Sequence, residues 1–289
     1  MTARPPILLI GMHRSGTSML TRTLEALGLY IGRGTTRNAE CRFTNALNYW
    51  LFRQASATWE RPAGIDALLA DEQTRPWVED YLRGVTAGPA AARYLGLRRW
   101  RRYRSLHRIG EPWGFKDPRT TYTLPVWRAL FPQARVLHIT RHGVDVAESL
   151  RARRSEAVSR AIARYRGRRA LYTLNPLAPK RSGFGHAPSV GTLDGGLALW
   201  SAYTRRARAH AAELGAQALE LRYEDLLAEP VDHLRRIVAF CGMAVDEAQI
   251  EAQGRRLDAS RAFAYRNDPE LTAFAEAHAE PLRALGYAP

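Results

Sequence analysis

The stretch that decides the fold is Ile7-Leu8-Leu9-Ile10-Gly11-Met12-His13-Arg14-Ser15-Gly16-Thr17-Ser18, continued by Met19, Leu20, Thr23, Leu24 and Leu27. Its apolar, branched run suits a strand buried on both faces and is too short for a signal or membrane segment. Two glycines bound the loop that follows. The apolar residues after Ser18 recur at helical spacing, and Gly28 stands where a helix C-cap belongs. Strand, glycine-bounded loop and helix make half of a βαβ unit.

The alternation recurs downstream. Trp113-Gly114-Phe115 leads into Lys116-Asp117-Pro118-Arg119, and Pro118 disfavours helix at Asp117, so a strand runs out into a loop there. Arg135–Thr140 reads as a buried strand, Arg141-His142-Gly143 as a turn, and Val144, Val146, Ala147 and Leu150 as the start of a helix. A helix over 194–214, a strand over Ala218–Tyr223 and a helix from Pro230 to Gly242 follow. This predicts one α/β domain over residues 1–289. A central, mostly parallel sheet is flanked by helices, with the layout of P-loop nucleotide-binding folds. Residues 36–60 show weak periodicity. Residues 60–110 read as a helical, basic insertion, and residues 151–195, rich in Arg with Gly, Pro and Ser, as a mobile insertion or substrate lid; the two form the acceptor side or a lid.

Composition narrows the partner. The 289 residues carry 43 basic and 28 acidic side chains, a net charge of +15, and only Lys116 and Lys180 among the basic ones are lysine. Such an excess favours an anionic partner, although an arginine-rich composition accounts for part of it. The two cysteines, Cys41 and Cys241, are too few for a disulfide framework, and no Cys/His spacing suits zinc. These features predict a soluble protein of the cytoplasm, at most touching the inner membrane surface.

Gly11 and Gly16 have Walker A spacing with Ser18 at the hydroxyl position, but Thr17 stands in the lysine place. No apolar strand ends in an aspartate for magnesium, which argues against a kinase or nucleotide triphosphatase. What remains is an anion site. Glycines let the backbone wrap an oxyanion, the helix start offers N–H groups, Ser15, Thr17 and Ser18 add hydroxyls, and Arg14 adds a cation.

On these residues the chain resembles the sulfotransferases that use 3′-phosphoadenosine-5′-phosphosulfate (PAPS). The loop is similar to their 5′-phosphosulfate loop, with Arg14 where many members have lysine. Arg141 at a strand end and Ser149 eight positions on match the family's grip on the 3′-phosphate. Tyr223-Glu224-Asp225-Leu226 resembles the motif whose tyrosine lies near the adenine. Lys116-Asp117-Pro118-Arg119 resembles a signature of bacterial members, with Lys116 as the second catalytic cation. The resemblance implies in-line sulfuryl transfer to an acceptor hydroxyl without a metal. The acceptor would be a carbohydrate, a lipid-linked saccharide or a small natural product, and an anionic one would suit the charge. It implies that Arg14, Ser15, Gly16, Thr17, Ser18, Arg141, Ser149 and Tyr223 bind the donor.

The general base stays open. The position two residues after Lys116, a histidine in many cytosolic members, is Pro118. Glu40 fits a scheme with a carboxylate soon after the first helix, with Asp117 and His13 as rivals and a plain loop pairing with Arg37 or Arg42 as the competing reading of Glu40. The arginines interleaved with aromatics over 93–108, and those over 151–169, are either solvated helix faces or contacts for an anionic acceptor or a membrane surface. Arg261 and Arg266 are further candidates for the 3′-phosphate. A non-catalytic nucleic-acid-binding protein is the reading from another class, and motif spacing makes it the weaker one.

Overall fold

The computed structural model describes residues 2–176, 180 and 183–289. In chain order the elements are β1 (Ile7–Ile10), α1 (Thr17–Ala26), α2 (Arg42–Gln54), α3 (Gly64–Ala70), α4 (Arg75–Ala87), α5 (Ala92–Tyr103), β2 (Gly114–Lys116), α6 (Thr120–Leu130), β3 (Arg135–Thr140), α7 (Gly143–Gly167), α8 (Arg169–Thr173), α9 (Leu193–Leu214), β4 (Ala218–Arg222), α10 (Tyr223–Ala228), α11 (Pro230–Cys241), α12 (Glu247–Gly254), α13 (Pro269–Ala277) and α14 (Ala279–Arg283). They divide into two compact units, Met1–Arg141 with Tyr203–Phe263, and His142–Ala202 with Ala264–Pro289.

The first unit holds a parallel sheet in the order β2-β1-β3-β4, as the βαβ pattern predicts. Ile7 lies in register with Gly114 on one side and Arg135 on the other. Side chains alternate across the sheet. Leu8 and Ile10 join Phe115, Val136 and Trp127 in one layer, while Ile7 and Leu9 join Leu24, Leu137 and Ile237 in the other. Two-sided burial is why the strand is a continuous apolar run rather than an alternating one.

Two stretches differ from the sequence reading. The expected insertion over 60–110 is part of the core: Leu68, Val78, Leu82, Tyr94 and Leu95 from α3, α4 and α5 are buried in the first layer. Within 36–60, α2 buries Phe43, Thr44, Leu47, Asn48, Leu51 and Phe52, a helical stripe whose two polar members hide its period. Asn48 is fully buried and satisfied. Its amide donates to Thr120 Oγ1 at 2.9 Å, and its carbonyl oxygen accepts from Thr123 Oγ1 and from Trp127 Nε1, each at 2.8 Å.

The second unit is built around the start of α7. His142, read as a turn residue, is buried. It stacks on Tyr265 at 4.2 Å and bonds the Ala288 carbonyl through Nε2 at 2.9 Å. Asp145 accepts from the Tyr265 backbone N–H at 2.8 Å. Where the sequence reading begins a lid after Leu150, α7 runs on to Gly167, supported by Glu148–Arg151 and Glu156–Arg160 pairs at helical spacing. Residues 177–179 and 181–182 of that expected lid lie outside the described residues. Among the described residues, no helix is long and apolar enough to cross a membrane.

The Asn48 network ties α2 to α6. Replacing Asn48 with leucine removes the acceptor of the buried Trp127 N–H and the donor to Thr120, and an unsatisfied buried group costs about 1–3 kcal/mol. Asn48→Leu is therefore expected to lose roughly 2–4 kcal/mol of unfolding free energy in urea denaturation. A wild-type midpoint would show that the network contributes nothing.

Candidate active site

The loop after β1 is shaped by backbone that only some residues adopt. Gly11 has φ +135°, and a Cβ there would stand 2.3 Å from the Ile139 carbonyl oxygen. Its N–H donates to Thr121 Oγ1 at 3.1 Å. Arg14 takes φ +71°, unusual for a residue with a Cβ, and its side chain is exposed. Gly16 caps α1 at φ +87°, where a Cβ would meet the Tyr223 ring at 2.4 Å. Ser15 is fully buried and its hydroxyl has no hydrogen-bond partner. Thr17 opens α1 and is also buried.

Lys116 ends β2, and its side chain is 1% exposed. Its ammonium donates to Glu40 Oε1 at 3.0 Å and to Ser18 Oγ at 3.2 Å. Glu40 Oε2 accepts from Asn45 Nδ2 at 3.0 Å, and the Ser18 hydroxyl donates to the Asn38 carbonyl at 2.8 Å. Thr36 shapes the Glu40 loop, its Oγ1 accepting from the N–H groups of Asn38 and Glu40. Three sequence-predicted residues, Lys116, Glu40 and Ser18, therefore meet at one point beside the start of α1. Glu40 pairs with Lys116 rather than with Arg37 or Arg42.

The rival bases are placed differently. Asp117 is buried, and Arg119 holds both its oxygens, Oδ1 from Nε at 3.1 Å and Oδ2 from Nη2 at 2.9 Å. The His13 ring packs edge-on against Trp59 at 4.8 Å, with Tyr203 beyond at 6.3 Å.

Behind the loop, Tyr223 links Gly16 to Arg141, whose guanidinium carbon lies 4.8 Å from the ring centre. Arg141 Nη2 also donates to the Arg261 carbonyl at 2.8 Å. Burial raises the Tyr223 phenol above its ordinary value, opposed by the charges of Arg141 and Arg261. Arg141 and Tyr223 thus belong to the same first unit as the loop. Ser149 is half-buried on the second turn of α7, in the second unit, as is Arg266. In α5, Arg99 is taken up by Glu111, at 2.7 and 3.0 Å, and by the Tyr30 ring, while Arg98 and Arg101 are exposed. Among the described residues, no group of His, Cys, Asp or Glu could hold a metal ion.

The model of the sulfotransferase family matches residues 5–247, well over half of the sequence. This chain belongs to the sulfotransferase family. No curated protein matches the sequence. Solved structures similar to this sulfotransferase include the enzyme from Alicyclobacillus acidocaldarius, 18% identical over 98% of this chain and 96% of that one, with a TM-score of 0.49. The sulfotransferase domain of the Synechococcus PCC 7002 olefin synthase is 18% identical over 96% and 95%, with the same score. That of the curacin biosynthetic pathway is 13% identical over 96% and 98%, again at 0.49.

Sequence reasoning missed Asn45, which orients Glu40, and Arg119, which holds Asp117 and reaches the Asn45 carbonyl at 3.3 Å. A signal for Asn45 existed, five residues after Glu40 on the first turns of α2, in the stretch where periodicity was weak.

The buried ammonium gives the site a pH signature. Burial pushes Lys116 below its ordinary lysine value, with Glu40 pulling it part of the way back. Between the lowered folded value and the unfolded value of about 10.4, the unfolded chain binds more protons, so this group makes stability rise with pH. The unfolding free energy of wild type minus that of Lys116→Met is expected to increase as pH rises towards the unfolded value of about 10.4. A difference that stays flat would show that Lys116 titrates like a solvated lysine.

Proposed function

We propose that this sulfotransferase takes its sulfuryl group from PAPS and delivers it to a hydroxyl of an acceptor. The observation that carries this reading is the meeting of Lys116, Glu40 and Ser18 beside a glycine-bounded helix start. The chemistry of the loop suits a phosphosulfate. A buried serine hydroxyl without a partner lies within the loop, and an anion at a helix N-terminus would satisfy it together with the first N–H groups of α1. When bound, PAPS supplies the sulfuryl group and a phosphate leaving group.

Each residue then has a task that chemistry can state. Ser15, Gly16 and Thr17 hold the 5′-phosphosulfate. Arg14, exposed on the loop, and Lys116, buried beneath it, neutralise charge that spreads over oxygens during in-line transfer. An ammonium has three donors, and two are engaged by Glu40 and Ser18, which leaves one to follow charge onto the leaving oxygen. Glu40 takes the proton of the acceptor hydroxyl. Lys116 and Asn45 each hold one of its oxygens, and its side chain is 13% exposed, whereas that of Asp117, clamped by Arg119, is 1% exposed and closed to an acceptor. Arg141 binds the 3′-phosphate, with Ser149 as the partner that the family pattern assigns, and Tyr223 lies by the adenine. Saccharides, lipid-linked saccharides and small natural products with a free hydroxyl form the acceptor class.

Isothermal calorimetry separates this reading from a triphosphatase. Tight, magnesium-independent binding of 3′,5′-adenosine bisphosphate over ADP and ATP is expected, and preference for ATP with magnesium would overturn the donor assignment. Arg141→Ala is expected to weaken the bisphosphate by about 1.5–3 kcal/mol, the worth of a hydrogen bond to a charged group, while changing adenosine 5′-phosphate little. Equal losses would remove Arg141 from the 3′-phosphate. Glu40→Gln keeps the shape and an acceptor for Lys116. It is expected to lower turnover by roughly 10²–10⁴-fold, the range for a general base, with bisphosphate affinity nearly unchanged. Wild-type turnover would take Glu40 out of the mechanism.

A further inference from the structure

The outer part of the second unit has a surface that sulfuryl transfer does not use. Among the described residues from 151 to 186, none is buried, although α7 and α8 are regular helices there. Large apolar side chains stand in water at this tip: Leu171 is 66% exposed, Leu174 78% and Phe184 45%. Leu171 and Leu174 are three apart, neighbours along the surface of one turn. The tip is braced from within. Tyr165 stacks on Tyr172 at 6.2 Å and meets Phe184 edge-on at 4.9 Å, and Lys180 Nζ lies 4.5 Å from the Phe184 ring centre.

Charge says what this surface meets. From residue 157 to 193 the sequence has no aspartate or glutamate, while Arg164, Arg166, Arg168 and Arg169 are exposed around the leucines. Several arginines elsewhere in the protein do sit beside carboxylates, as in Arg75–Glu79, Arg99–Glu111 and Arg235–Glu247. A second copy would bring the same positive charge against itself. A nucleic acid would use the arginines and leave the leucines in water. An anionic lipid surface takes both: guanidinium groups at the phosphates, and leucine side chains in the boundary between headgroups and acyl chains.

The geometry points to a membrane-docking tip, formed by Leu171, Leu174 and Phe184 among Arg164, Arg166, Arg168 and Arg169, that binds anionic phospholipid surfaces. It works without a spanning segment and independently of which donor or acceptor the enzyme uses. It would place this sulfotransferase at a lipid surface, next to acceptors held there.

Flotation of the full chain with vesicles tests it. Recovery is expected with equimolar phosphatidylcholine and phosphatidylglycerol, and not with phosphatidylcholine alone. Arg166→Gln with Arg168→Gln and Arg169→Gln is expected to weaken the anionic vesicles by about a hundredfold, and Leu171→Ser with Leu174→Ser by roughly tenfold. Both sets lie at exposed positions, and unchanged circular dichroism and bisphosphate binding verify the fold. Equal recovery on neutral and anionic vesicles would overturn the proposal. So would full binding by the leucine variant, or duplex DNA binding that competes with vesicles and depends on the arginines alone. Light scattering that shows a dimer lost in the leucine variant would assign the tip to a second copy instead.

Discussion

An ammonium group buried at the end of a β-strand must be paired, because removing one partner of a buried charge pair costs about 3–5 kcal/mol. Lys116 meets that constraint with two side chains from separate segments, Ser18 on α1 and Glu40 in the loop before α2. The second oxygen of Glu40 is in turn held by Asn45 on α2. One charge thus fixes the edge of the sheet, the start of the first helix and the loop that carries the carboxylate. The arrangement holds a carboxylate and a cation within 3.0 Å of one another, with an amide fixing the carboxylate's far oxygen, so that the charges are held in place with little room to reorganise.

The glycine loop obeys a second constraint, close approach. Gly11 passes the β3 carbonyl of Ile139, and Gly16 passes the Tyr223 ring, each leaving no room for a Cβ. Tyr223 thereby connects the strand-end cation Arg141 to the turn that starts α1. An aromatic ring packed on a glycine sets part of the spacing between the two, and it is a stiffer spacer than a loop.

The sequence reading succeeded where one force dominates a local run. Ile7 to Ile10 and Val136 to Ile139 are buried on both faces, so a run that is apolar apart from His138 identified them. Pro230 and Gly242 mark the ends of α11 by backbone geometry, and the helix runs between them. The reading faltered where polar groups are buried and satisfied. Asn48 and Thr44 occupy the core stripe of α2 and look like surface residues in a pattern search. His142 has the composition of a turn and the surroundings of a core residue. The outer half of α7 failed in the opposite sense. It is a helix with no buried face, held by its own propensity and by pairs such as Glu156–Arg160, so no apolar period announced it. In the site, Lys116 and Glu40 were each legible from motif position. Their contact was not, since it joins residues 76 apart in the chain.

The near-absence of lysine sharpens the meaning of Lys116. A composition that supplies arginine almost everywhere still has a lysine where the cation is buried between a carboxylate and a hydroxyl on different segments. Guanidinium is a flat fork suited to two oxygens in one plane, as Arg119 shows on Asp117. Ammonium directs its three donors tetrahedrally and can serve Glu40, Ser18 and one more oxygen in three directions. An arginine placed there would keep the charge and lose that division of donors. Its longer, planar head would also have to fit a position where the present side chain is 1% exposed. The site thus depends on the shape of the cation as much as on its sign, and the overall charge of +15 carries no information about shape.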